Sequence, residues 1–466
     1  MTTGNNTVDN NLETPDGFRS KLNPNGFIAR YLEYHKMRTD SPEVFGIHLA
    51  IQLIGHSFGP YIINKIRPRA VHHNIYNCLL GQSGKSMKST SMDEVAIGLY
   101  PPSYIGPNGF SPEGLLKKLQ DYNFLMCPLG EFSTILRSLI HGGNMANFKE
   151  IANDLWGCKA PYIKSLVHKD KSYFVDHPYL SMSTTCTEEE YYPNLNPEMV
   201  HGGFMPRWLL IKSESPPFKP LGWLPDNVDK LELYLKSVVK KFYPLATETP
   251  TMAFKLSKEA LIKYNEICED LHDNPKWETV QPFVARYQKY IIKYADILFF
   301  DSLLELQPNY TNYTNKTHNT NNTSEDNVMS GVLVSLVQSD SKNTLITPVE
   351  QITQAWELIK PCLEYSLKVA RYVDEDYVVR KLQLVLEKKS PQQWSMAGRY
   401  THLDKFKFKN AIDTLVDRET AFVFKKEFVA TGKKHARIIC QNEYQNTERC
   451  KKCEYLEYCK PFWSVK

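Results

Sequence analysis

Two stretches of this chain hold residues whose types and spacing imply chemistry. The first is Gly81-Gln82-Ser83-Gly84-Lys85-Ser86-Met87-Lys88-Ser89-Thr90. A Gly/Ser/Lys turn between a strand and a helix can cradle phosphate oxygens on its backbone N–H groups, helped by the helix dipole. A lysine then reaches the outer phosphates and a neighbouring hydroxyl ligates Mg²⁺. The spacing departs from the usual Gly-x4-Gly-Lys-Ser/Thr: Lys85-Ser86 comes early after Gly81, and Lys88-Ser89-Thr90 comes one residue late. Lys88 is the favoured phosphate lysine, with Ser89 or Thr90 at the metal, and Lys85 is the alternative. A solvated Ser/Lys-rich turn is the competing reading. The second stretch is Cys440-x9-Cys450-x2-Cys453-x5-Cys459. Four thiolates can surround one metal centre, and the Cys-x2-Cys pair makes the tight chelate turn used by zinc and iron–sulfur sites. His435 is an alternative fourth ligand. Either a [4Fe–4S] cluster or Zn²⁺ fits this spacing.

The elements that must position these residues read as alternating strands and helices. His73 to Leu80 is an apolar strand entering the loop, and Ser91 to Tyr100 can continue as a helix. Ser111-Pro112-Glu113 is a helix start, with a capping hydroxyl, proline at the first helical position and an acid facing the dipole. Asn123 to Leu129, Tyr179 to Thr185 and Trp208 to Lys212 are further strands. This alternation predicts an α/β layer structure. A nucleotide loop also needs an acid at the end of a neighbouring strand. Glu131 is placed for that, although Gly130 stands where an Asp usually precedes it. Phe27 to Ile66 and Ser257 to Leu306 read as mostly helical, and helix resumes from Val349 to Tyr372.

The C-terminal part has the layout of a winged helix: helices at Val379 to Glu387, Ser395 to His402 and Asp404 to Val416, then strands at Ala421 to Lys425 and Ala436 to Ile439. Between Arg380 and Arg437 stand fourteen Lys/Arg against six Asp/Glu, about +8, in a chain of net charge +4. That asymmetry suits phosphate contacts with nucleic acid. Lys405, Lys407 and Lys409 on the third helix, and Lys433, Lys434 and Arg437 about the wing, are the candidates, against a merely solvated basic face. Composition otherwise excludes general disorder: 42% of residues are apolar and 23% charged. With no signal-like start and no apolar run long enough to span a bilayer, a cytoplasmic protein is expected. The Asn-x-Thr triplets within Asn309 to Ser324 therefore read as a polar loop and not as glycosylation sites.

Several segments, in order, resemble the P-loop ATPases catalogued as domain of unknown function 3987, helicase-like proteins related to viral and plasmid primase-helicases. They are TDSPEVFGIHLAIQLIGHSFG (39–59), NIYNCLLGQSGKSMKST (74–90), GFSPEGLLKKL (109–119), the Glu131-Phe132 strand end, PYLSMSTTCTEEEYYP (178–193) and GGFMPRWLLIK (202–212). The resemblance implies a RecA/AAA+-like P-loop core, favours Lys88, and makes Arg207 an arginine finger or sensor, acting in trans if the protein forms a ring or filament. It places Ser183 and Thr184 near a polar sensor position. The organisation expected is a disordered tail (1–24), an N-terminal helical region (25–70), the ATPase core (71–250), a helical region with an Asn/Thr-rich loop at 307–328 (251–376), a winged helix (377–439) and a metal module (440–466). The function expected is an ATP- and Mg²⁺-dependent DNA helicase or translocase working as a homo-oligomer, with any primase supplied by a partner. The alternative is a DNA-binding origin or regulatory protein that binds nucleotide but hydrolyses it weakly.

Overall fold

The structure, a computed structural model, describes residues 17–66, 70–107, 111–141, 145, 147–166, 171–213, 224–225, 227–242, 252–304, 343–389, 392–393, 409, 411–412, 421–426 and 436–441. The chain divides into two compact units, Met1–Val369 and Ala370–Lys466.

The first unit begins with α1 (Phe27–Arg38) and α2 (Glu43–Ser57). Every residue of α2 from Val44 onward is buried, as its unbroken apolar run requires of a helix with no solvent face. Its polar side chains are therefore spent inside. Gln52 donates to the backbone oxygens of Ile75 (3.0 Å) and Met182 (2.8 Å), and His48 bonds Tyr294 at 2.7 Å. Burial holds His48 and His56 down to about 3, so both are neutral.

Two two-residue strands follow, β1 (Ile63–Asn64) and β2 (Val71–His72), and then β3 (Tyr76–Leu80), buried at every position. α3 (Pro112–Asp121) starts at Ser111, whose hydroxyl accepts from Gly114 N at 3.1 Å, and it buries Leu115, Leu116 and Leu119. Next come β4 (Phe124–Glu131), α4 (Phe132–His141), α5 (Phe148–Trp156), the hairpin β5 (Tyr162–Leu166) and β6 (Lys171–Val175), and β7 (Tyr179–Cys186). The short helices α6 (Glu188–Tyr191) and α7 (Pro197–His201) lead to β8 (Leu209–Lys212). Strands β4-β7-β3-β8 form an all-parallel sheet in that order. Its central strand β7 is buried throughout, the signature of a sheet covered on both faces. Truncating Met182 to Ala at its centre would cost about 2–5 kcal/mol. Parallel pairing brings the C-terminal ends of all four strands to one edge, where α/β sheets place ligands.

The remainder of this unit is less purely helical than its sequence implies. α8 (Val228–Phe242), β9 (Met252–Leu256), α9 (Lys258–Asp273), α10 (Gln281–Ser302) and β10 (Asn343–Thr347) precede the long α11 (Val349–Lys389). β10 and β9 pair with β1 and β2 in a second sheet, in the order β10-β9-β1-β2. Ile63–Asn64 is thus a strand, and 251–376 contains two more. β1 and β2 are too short for a period-2 pattern, and a buried side-chain knot ties β1 to β10. The Asp296 carboxylate on α10 accepts from Asn64 (2.9 Å) and Thr347 (2.6 Å), and lies 3.0 Å from His73 Nε2.

α11 runs across the expected boundary at 376/377. It runs unbroken through Pro361, and the residues expected as a separate winged-helix helix, Val379 to Glu387, are its last turns. An internal proline costs a helix about 3 kcal/mol or more. Burial of Ile352, Ala355, Ile359, Cys362, Leu363 and Ser366 at helical spacing, on both sides of the proline, offsets that.

The second unit shows a three-stranded antiparallel sheet, β11 (Gln392–Gln393), β12 (Ala421–Lys426) and β13 (Ala436–Gln441), in the order β11-β13-β12. Strands expected at Ala421 to Lys425 and Ala436 to Ile439 are therefore present, each slightly longer. Lys409, Ala411 and Ile412 are helical, with Lys409 exposed. The expected helix at Ser395 to His402, and most of Asp404 to Val416, lie outside the described residues. Among the described residues no helix is long and apolar enough to cross a membrane.

Candidate functional site

The loop from Gly81 to Lys88 leaves the C-terminal end of β3 with its backbone fixed by both neighbouring strands. Gly81 N donates to Cys186 O on β7 (3.3 Å), and Ser213 N, just past β8, donates to Leu80 O (3.0 Å). Gly81 has no room for a side chain: a Cβ there would stand 2.7 Å from Ser86 Oγ and 3.1 Å from Ser213 O. Ser86 closes the turn, its hydroxyl donating to Gln82 O at 2.8 Å. Gly84 and Met87 both adopt left-handed backbone, φ 69° and 47°. For Met87 that is costly, since only glycine enters the region freely. Met87 stands directly before Lys88, where the usual motif has its second glycine. Helical backbone starts at Lys88 and continues to Leu99, mostly as the π-helical segment Thr90–Ala96.

The structure separates the two lysines. Lys85 is exposed. Lys88 is only 7% exposed, and its ammonium curls beneath the loop to donate to Gly81 O (2.8 Å), Gln82 O (3.3 Å) and Ser86 Oγ (3.4 Å). Burial pushes this lysine below its ordinary range, and the charges of Glu131 and Glu189 pull it back. Gln82 to Lys85 line the open side of the turn and Ser89 is exposed, while Thr90 is half-buried.

Glu131 ends β4, two strands away across β7. Burial raises its carboxyl, opposed by a bond from the Cys186 thiol and by the nearby Lys88. The ligand atoms of Glu131, Cys186 and Glu190 lie within 4.8 Å of one another, and Ser133 Oγ donates to Glu190 at 2.9 Å. The Cys186 thiol is pushed up to about 12 by burial and then by Glu131, so it is protonated and a poor ligand as it stands. The two carboxylates are the hard oxygen donors that a divalent cation such as Mg²⁺ takes. Gly130 has open space around it, with nothing within 4 Å of where a Cβ would stand, so packing does not explain the missing acid.

Sequence reasoning misses Cys186 and Glu190, and it misses Lys212. Lys212 ends β8 beside the loop, pairs with Glu188 at 3.0 Å, and lies 5.8 Å over the Tyr365 ring, whose hydroxyl donates to the same Glu188 at 2.7 Å. The run Thr187-Glu188-Glu189-Glu190 after an apolar strand is the signal that could have found them.

Other expected residues are placed elsewhere. Ser183 donates to Gln52 Oε1 (2.5 Å) and Thr184 to Gly130 O (2.8 Å). Both are fully buried short of the strand end, so Cys186 and Thr187 take the strand-end position. Arg207 lies before β8, whose Leu209 pairs with Asn77 near the start of β3. That is the opposite edge of the sheet from Lys88, so the chain does not bring Arg207 to its own Gly81–Thr90 loop. Cys440 and Arg437 lie on β13; Cys450, Cys453, Cys459, His435, Lys405, Lys407, Lys433 and Lys434 lie outside the described residues.

A scan against protein-family models finds no match, and a search of curated proteins returns none either.

Proposed function

We propose that the first unit binds a nucleoside triphosphate, most simply ATP with Mg²⁺, at the Gly81–Thr90 loop, and that the protein is a nucleotide-driven motor acting on nucleic acid, of helicase or translocase type. With no matching family model, the reading stands on geometry. The observation that carries it is the Lys88 ammonium, desolvated and held by the loop's own carbonyls at the C-terminal edge of a parallel sheet, with helix starting at that residue. A buried cation bonded only to neutral oxygens is poised to exchange them for phosphate oxygens. Left-handed backbone at Gly84 and Met87 turns the loop around that position. Gln82 to Lys85 would offer the N–H cradle, Ser89 or Thr90 and the Glu131 carboxylate would hold Mg²⁺, and Glu131 would orient water. Mg²⁺ would supply charge neutralisation between the outer phosphates. The order β4-β7-β3-β8, with one strand between the loop strand and the acid strand, suits the RecA/AAA+-like core expected.

Arg207 belongs to this proposal only in trans: its position across the sheet fits contact with a nucleotide on a second copy, as in a homo-oligomeric ring. The nucleic-acid contacts proposed for the second unit and a [4Fe–4S] or Zn²⁺ site at its cysteines complete the reading. Gly130 favours one second reading, a DNA-binding protein that holds nucleotide with little turnover. The test is ATP hydrolysis with and without single-stranded DNA, beside Glu131→Gln. DNA-stimulated turnover abolished in the variant supports the motor; tight nucleotide binding without turnover supports the second reading; absence of nucleotide binding refutes both.

A further inference from the structure

At the sheet edge opposite the loop, four cations converge on one indole. Arg207, Arg286, Lys289 and Lys293 stand 5.8, 5.5, 5.3 and 4.4 Å from the Trp156 ring centroid. Their convergence follows from local sequence. Arg286, Lys289 and Lys293 share one face of α10 at i, i+3 and i+7, Arg207 ends the turn before β8, and Trp156 ends α5. The Trp156 indole N–H is committed to Tyr290 Oη at 3.2 Å, which fixes the ring's orientation.

The four differ in what already satisfies them. Lys293 is buried and spends its ammonium on Asn74, donating to the backbone oxygen and to Oδ1 (2.9 Å). Arg207 donates one terminal N–H to Gly203 O, while its buried Nε meets no acceptor. Among the described residues, no carboxylate forms an ion pair with Arg207 or Arg286; Asp154 acts on Arg207 only through space. Burial, and then Arg286, holds Arg207 down to about 10, still charged at neutral pH. Arg207, Arg286 and Lys289 are each part-exposed. Like charges crowded at low dielectric repel, and the ring's π face compensates only in part. An anion entering between them relieves the repulsion.

We propose that Arg207, Arg286 and Lys289 form a second phosphate-binding site, at the sheet edge opposite the Gly81–Thr90 loop and supported from beneath by Trp156. Guanidinium groups fork onto paired oxygens, which selects phosphate over a monodentate anion. Trp156 is 3% exposed, so no base can stack on it, and recognition is of the phosphate alone. The chain's own nucleotide cannot supply that phosphate from the far edge. Two sources share the chemistry: the backbone of a nucleic acid, or the phosphate tail of a nucleotide held by a second copy. Only the second-copy source rests on the nucleotide reading above; the backbone source needs no nucleotide.

The test uses the full-length protein and the double variant Arg286→Gln/Lys289→Gln, with Arg286→Lys as the charge-retaining variant and far-ultraviolet circular dichroism as the check on folding. Binding of a fluorescein-labelled oligo(dT) of about 20 nucleotides, a length that spans one or more single-strand sites, is measured by anisotropy across a KCl series without nucleotide. Particle mass is measured with and without ATP and Mg²⁺. A backbone source predicts about tenfold or greater loss of oligonucleotide affinity in the double variant, a log–log salt slope reduced by about 0.7 per lost contact, and a largely retained slope in Arg286→Lys. A nucleotide source predicts unchanged oligonucleotide binding and loss of ATP-dependent assembly. A folded double variant with both properties unchanged overturns the proposal.

Discussion

Replacing Lys88 by Ala, beside Lys85 by Ala, is the sharpest test of the loop's register. Lys88 makes one good and two long donor contacts to the loop from a nearly dry position. On phosphate binding these neutral partners are replaced by charged ones, and a charge-assisted bond to a charged group is worth about 1.5–3 kcal/mol. Taking about 3 kcal/mol for the ammonium, Lys88→Ala weakens nucleotide affinity on the order of 100-fold. Lys85 is exposed, where a single charge contributes at most about 1 kcal/mol, or less than about fivefold. The assay is titration of a fluorescent ATP analogue with Mg²⁺, with urea midpoints showing that both variants fold. Equal losses in the two variants, or a larger loss in Lys85→Ala, would refute the assignment of the buried lysine to the phosphate.

Three other outcomes are expected. Met87→Gly relieves a left-handed strain of about 1–2 kcal/mol against about 0.5–1 kcal/mol of added chain entropy, so the urea midpoint should rise; a fall would show that Met87 is held by contacts worth more than its strain. Lys293 is lowered by burial to about 7 from its usual 10.5, so between those values the unfolded chain binds more protons and stability rises with pH. Wild-type protein should gain about 3 kcal/mol more between about pH 7 and 9.5 than Lys293→Met, measured by urea denaturation. Cys453→Ser should lose bound zinc or iron in elemental analysis of purified protein, whereas Cys268→Ser, at a scattered cysteine, should keep it.

How much of the fold and the site is legible in the sequence depends on whether the signal is local. The Ser111 cap, the β3 strand and the turn after it are set by neighbouring residues and can be read directly. The pairing of Ile63–Asn64 with Met252–Leu256 cannot, because two-residue strands carry no period and their partners lie far along the chain. Helix from Val349 to Tyr372 is read through Pro361, whereas its unbroken continuation into Val379–Glu387 is not, because the sequence there also suits a separate helix. Spacing and resemblance favour Lys88, but its curled position under the loop emerges only in three dimensions. The family resemblance implies a phosphate role for Arg207, and the register of β8 against β3 puts it at the edge opposite Lys88. Cys186 and Glu190 escape notice because strand-end position, not composition, makes them neighbours of Glu131.

The two edges of the parallel sheet are joined by β8, and this shapes what a nucleotide could do here. Its last residue, Lys212, is held by Glu188 beside the Gly81–Thr90 loop; Arg207 stands just ahead of its first residue, among the cations on Trp156. Among the described residues β8 is an edge strand, hydrogen-bonded to β3 alone, and its first three side chains are fully buried. A packed interior resists continuous deformation and moves between discrete arrangements. If phosphate at the loop draws Lys212 from Glu188, the strand can answer by shifting as a unit, because its buried side chains bar a local bend. Such a shift would carry Trp208 and the Arg207 carbonyl, which accepts from Tyr290 at 2.5 Å. Tyr290 in turn holds the Trp156 indole, so one physical route between the two edges runs Lys212, β8, Arg207, Tyr290, Trp156.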